Sequence, residues 1–100
     1  MLSITEMQKK LSPIFEKNGI KKAVLFGSYA TGVATENSDV DLLIDDAGLI
    51  KGFRFFGVRG ELEEAIDRQI DLISARTVIP NSLIDIEIKQ KGMVIYEKSN

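Results

Sequence analysis

Asp39 and Asp41 stand two residues apart at the head of the apolar run Val40 to Ile44. Gly27-Ser28 precedes them, closing a second apolar run, Val24-Leu25-Phe26. In a strand, residues two apart point to the same side, so the two carboxylates would project together. Glycine lets backbone N–H groups come close to a ligand, and a helix starting just after it favours phosphate. Mg²⁺ takes oxygen ligands, usually one or two carboxylates plus a substrate's phosphates. Two carboxylates facing a phosphate cradle therefore suit metal-dependent transfer from a nucleoside triphosphate. Asp71, between Ile70 and Leu72, is a third candidate. Its apolar neighbours predict an interior position, where a carboxylate is costly unless compensated. The compensating group would be a metal, or an arginine such as Arg68 or Arg76.

Other chemistries fit less well. Gly27 to Gly32 matches the outer glycines of a P-loop, but Val33-Ala34 follows where Lys-Ser/Thr is needed. An EF-hand fails because Leu43 and Ile44 follow the two aspartates. The chain has 100 residues with no cysteine and no histidine, which excludes structural zinc, disulfides, haem attachment and Cys or His nucleophiles. Any metal must be held by oxygen. A net charge of −2 carries no basic footprint for nucleic acid. At 44% hydrophobic and 28% charged, the composition is that of a soluble globular protein. One domain, 1–100, is the expectation at this length. The first residues lack a basic start and a long apolar core, and no apolar run reaches membrane-spanning length. A cytoplasmic location without membrane contact is expected.

Gly27-Ser28, ten further residues, then Asp39-x-Asp41 resembles the signature of the DNA polymerase β-like nucleotidyltransferases. The wording Phe-Gly-Ser-Tyr-Ala-Thr-Gly…Ser-Asp-Val-Asp-Leu-Leu-Ile, from Phe26 to Ile44, is most similar to the minimal nucleotidyltransferases. In prokaryotes these are often antitoxins paired with HEPN-domain toxins. A looser similarity runs on to Tyr96. Thr31 stands where many relatives carry Arg or Lys, which removes a basic phosphate or acceptor contact at that position. The resemblance implies two Mg²⁺ ions held by Asp39 and Asp41, with Asp71 on the catalytic one. It implies ATP as donor, its β- and γ-phosphates on Gly27 and Ser28, and AMP passing to a hydroxyl of a HEPN-type partner. The alternative is a non-catalytic binding module that neutralises the partner by docking. The intact Asp39, Asp41, Asp71 and Gly27-Ser28 set speaks for catalysis.

Positioning these groups requires a particular chain of elements. Ser3-Ile4-Thr5-Glu6 reads as a capping box, followed by Ile4, Met7, Leu11, Ile14 and Phe15 at helical spacing. Pro13 predicts a kink, or a second segment capped by Ser12. Asn18-Gly19 stops the helix. Strands are expected over 20–26, 39–45, 69–74 and 93–96. A short helical turn is expected over 28–32, and a helix over 52–67 weakened by Gly57 and Gly60. Leu83 to Ile88 alternates like a strand, but a Ser82-x-x-Asp85 cap and Gly92 favour a helix, as the resemblance does. Phe53, Phe55 and Phe56 are expected in the core, with one left for an interface. Lys51, Arg54, Arg59 and the acidic stretch from Glu61 to Asp67 read as solvated charge, and Asp45-Asp46 as a turn. The result is an α/β sandwich with a mixed β-sheet packed with helices, the polymerase β-like nucleotidyltransferase fold.

Overall fold

A computed structural model describes residues 2–98. Helix α1 (Ile4–Lys17) leads into β1 (Lys22–Phe26), the short α2 (Gly27–Thr31) and β2 (Val40–Asp45). Helix α3 (Phe53–Ile66), β3 (Ile70–Ser74), a 3₁₀ turn (Ala75–Thr77), α4 (Leu83–Lys91) and β4 (Met93–Glu97) follow. The helix–strand alternation expected from the sequence is the one observed. Strand order is β3-β2-β1-β4, with β1 antiparallel to β2 and β4 and β2 parallel to β3, so the sheet is mixed.

Alternation decides which face is buried. Val40, Leu42 and Ile44 of β2 have no exposure, and Ala23 and Leu25 of β1 join them. Met7, Leu11 and Phe15 of α1 and Val58, Leu62 and Ile66 of α3 close over this face as one apolar core. Fully burying a side chain of this size contributes about 1.5–3 kcal/mol, so the stripe at helical spacing fixes both helices on the sheet. The opposite face is only partly covered. Helix α4 lies against it near β1 and has no buried residue among its nine. Because that side is left open, polar side chains from β2 and β3 can meet a ligand there.

Local signals act as expected at most element ends. Ser3 Oγ accepts from Glu6 N at 3.1 Å, and Ser82 Oγ accepts from Asp85 N at 3.3 Å. The latter contact favours α4 as a helix over the strand that its alternation also allows. Pro13 neither breaks α1 nor starts a second segment. The hydroxyl of Ser12 donates to Gln8 O at 2.6 Å instead of capping. The phenylalanine cluster departs from expectation. Phe53 is 94% and Phe56 60% exposed, and only Phe55 packs partly on the core. Gly52, at φ +58°, turns the chain into α3 so that Phe53 opens the helix on its outer side. The acidic stretch of α3 is not all solvated either. Glu61 pairs with Lys17, and Glu63 Oε2 accepts from Ile70 N at 2.8 Å, joining α3 to the start of β3.

Candidate active site

Asp41 points to the open face, between Phe26 of β1 and Asp71 of β3 in the strand register. Asp39 sits one residue before β2, at the end of a tight turn. Ser38 N donates to Thr35 O at 3.1 Å, and Thr35 N donates to Ser38 Oγ at 2.9 Å. Val40 N then donates to Gln69 O at 2.9 Å. That bond ties the entry of β2 to the entry of β3, so Asp39, Asp41 and Asp71 lie at the same end of two parallel strands. Asp39 and Asp71 share a polar cleft of about 400 Å³ with Arg59, Glu63, Gln69 and Ile70.

Gly27 faces the same place from the neighbouring strand end. It opens α2 at φ +71°, a conformation that costs a side-chain-bearing residue about 1–2 kcal/mol. Its position is also closely approached, since a Cβ there would overlap Asp41 Oδ2. Glycine is therefore required twice, by backbone and by space. Ser28 follows in the first turn of α2, half-buried. Thr31 folds back on that turn, its hydroxyl donating to Gly27 O at 3.2 Å. It closes the turn of α2 from within.

Two features differ from the sequence expectation. Asp71 is exposed, not interior. Only one face of β3 is covered, and Ile70, Leu72 and Ser74 take it. Neither arginine compensates Asp71: Arg68 Nη1 donates to Asp67 O at 2.9 Å and Arg76 Nη2 to Ile50 O at 3.3 Å. The second feature is Glu87 of α4, which the sequence did not single out. Its Oε2 accepts from Gly27 N at 3.2 Å. Burial, then the charges of Asp71, Asp39 and Glu87, push the Asp41 carboxyl above the ordinary carboxylate range. Each of these causes disfavours a negative charge at Asp41, and a cation would reverse them. The donors are all hard oxygens, which suits Mg²⁺. Among the described residues, no group of three or more carboxylates is gathered tightly enough to hold an ion in its present arrangement.

Residues 9–100 match the family model described as polymerase beta, nucleotidyltransferase. The chain belongs to this family. It is a nucleotidyltransferase, and its mixed sheet with four helices is the minimal form of that fold. Protein adenylyltransferase MntA of Thermococcus cleftensis is 31% identical over 77 residues, covering 73% of this chain and 78% of the relative. A Methanocaldococcus jannaschii protein with a provisional protein adenylyltransferase name is 32% identical over 79 residues, covering 79% and 85%. A chain from a crystal structure of a toxin–antitoxin with AMP-PNP superposes with TM-score 0.78 at 22% identity, over 91% of this chain and 73% of that one. Another, from tri-AMPylated Shewanella oneidensis HEPN toxin in complex with MNT antitoxin, gives 0.73 at 18%, over 95% and 73%. At these identities the superpositions show a shared fold. Among the described residues, no helix is long and apolar enough to cross a membrane.

Proposed function

We propose that this nucleotidyltransferase moves AMP from ATP to a hydroxyl of a partner protein, and that the partner is a HEPN-type toxin it neutralises. The observation that carries the chemistry is the meeting of Asp41, Asp71 and Gly27 on one open patch of the sheet. Asp39, Asp41 and Asp71 would hold Mg²⁺, in one or two ions. When bound, the metal neutralises phosphate charge and polarises the transferring group. Gly27 N–H and Ser28 Oγ bind and orient the β- and γ-phosphates. The acceptor oxygen forms a bond to the α-phosphorus as the bond to the pyrophosphate oxygen breaks, and pyrophosphate leaves. Asp71, exposed on the edge strand, would take the acceptor's proton. No protein nucleophile is required, in keeping with a chain without cysteine or histidine.

The protein acceptor is supported by the relatives. The adenylyltransferase names of the relatives and the AMPylated toxin in a structural neighbour point the same way. Co-expression with a HEPN-domain partner is expected to give a stable complex and a mass increase of one or more AMP units on the partner. The increase should require Mg²⁺ and vanish with Asp41→Asn. Modification of tRNA or free nucleotides by this chain alone, with no protein acceptor found, would defeat the proposal.

Asp71→Asn separates the roles of the carboxylates. Its place at the open edge of the cleft predicts a loss of transfer of about a hundredfold or more, with ATP affinity changed by less than about threefold. Turnover and calorimetric titration of the same variant check this. Loss of ATP binding with transfer retained at saturating ATP would assign Asp71 to nucleotide binding instead.

A further inference from the structure

Glu87 reaches the cradle from an element that sequence spacing does not connect with it. Helix α4 is seated closely on β1: at Gly92, its C-terminal end, a Cβ would overlap Ile88 O and crowd Val24 Cγ1 at 2.8 Å. That seating brings Glu87 over the start of α2, where Oε2 accepts the Gly27 N–H at 3.2 Å. Among the described residues, no lysine or arginine pairs with Glu87, although Lys89 on the same helix pairs with Asp85. The carboxylate is otherwise exposed. Its hydrogen-bond partner is thus the backbone donor that the proposed function assigns to phosphate.

We infer that Glu87 competes with the nucleotide's phosphates for the Gly27 N–H, and so sets how tightly the chain holds a triphosphate. The inference rests on the proposed nucleotide site. A backbone N–H has one proton to donate, and a carboxylate oxygen and a phosphate oxygen are the same kind of acceptor for it. Phosphate can dock only as Glu87 swings away, and the displaced carboxylate still faces the incoming negative charge. Asp39, Asp41 and Asp71 draw in a cation, whereas Glu87 holds the place of the anion. Because Glu87 is exposed, solvent screening keeps the effect moderate.

Calorimetric titration of ATP with Mg²⁺ into the native chain, Glu87→Gln and Glu87→Ala tests this. Glu87→Ala removes both charge and acceptor, and is expected to tighten binding by about three- to tenfold. Glu87→Gln keeps an acceptor and loses the charge, so its gain should be smaller but in the same direction. General damage to the fold would weaken binding, so a gain is diagnostic. The Gly27 amide resonance of the nucleotide-free protein gives a second readout and should move in Glu87→Ala. Unchanged or weaker ATP binding in both variants would overturn the inference, weaker binding making Glu87 a ligand of the nucleotide or its cation. An unmoved Gly27 resonance would overturn it too. Absence of ATP binding in all three proteins would defeat the nucleotide site itself, whereas binding and AMP transfer that ignore Glu87 would defeat this inference alone.

Discussion

The Asp39→Asn, Asp41→Asn double variant is expected to lose at least about a thousandfold in transfer while remaining folded. Losing a single preorganised electrostatic contact to a reacting group typically costs 10²–10³ in rate, and this change removes two charges from one cluster. The fold should tolerate it, because neither carboxylate supports the core: Asp39 is exposed and Asp41 half-buried on the open face. The single variant Asp41→Asn should even melt higher at neutral pH. The Asp41 carboxyl is held above its ordinary range by burial first and then by Asp71, Asp39 and Glu87. A raised carboxyl binds its proton more tightly in the folded state than in the unfolded one. The folded state is therefore penalised once pH exceeds the folded pKa, and unpenalised below the unfolded value. Asparagine removes the penalty, so the melting temperature should rise at pH 7 and stay unchanged at pH 3. Thermal scans at both pH values check the sign. Near-normal transfer by the double variant would sink the mechanism.

The parts of this site that were legible in the sequence are those set by local rules. The period of two in β2 set Asp41 opposite the buried Val40, Leu42 and Ile44, and Gly27 before a helix start marked a close approach. The order of elements followed from caps and stripes, and Ser82 with Asp85 resolved a segment whose alternation pointed both ways. What was not legible depends on which faces are covered. Asp71 looked interior because Ile70 and Leu72 flank it, yet only one side of β3 is packed, and Ile70, Leu72 and Ser74 occupy that side. Phe53 and Phe56 looked like core because they are large and apolar. Their exposure follows from where Gly52 turns the chain, which no hydrophobic count reveals. Glu87 is 60 residues from Gly27. Its proximity comes from how α4 seats on β1, through Gly92 and Val24, and no spacing rule reaches that far. Asp46, read as a turn residue, is one. It is also 2% exposed, accepting from Gly48 N and Ile50 N at 3.0 Å each, so it holds the turn together from inside.

Gly27→Val is expected to weaken ATP binding by at least about a hundredfold. Two separate effects of a side chain at this position contribute. The first is backbone strain, since φ is +71° and a β-branched residue resists that region. The second is displacement, since the new Cβ would occupy the space of Asp41 Oδ2 and drive that carboxylate away from the cradle. Gly32 separates the two. It has φ +79°, comparable strain, but nothing lies within 4 Å of where its Cβ would be. Gly27→Ala and Gly32→Ala should therefore lose similar stability, about 1–2 kcal/mol each, with only Gly27→Ala losing nucleotide affinity. Ser28→Ala removes one hydrogen bond to a charged group and should weaken binding by about 1–2 kcal/mol, roughly five- to thirtyfold. Titration of ATP and Mg²⁺ into each variant, beside its melting temperature, ranks them. If all three cradle variants bound ATP as the native chain does, the phosphates would lie elsewhere. If Gly32→Ala lost affinity as far as Gly27→Ala, the cause would be strain in α2 and not closeness to Asp41. The distinction matters because a strained but open turn could be rescued by stabilising α2, whereas a displaced Asp41 could be rescued only by restoring glycine.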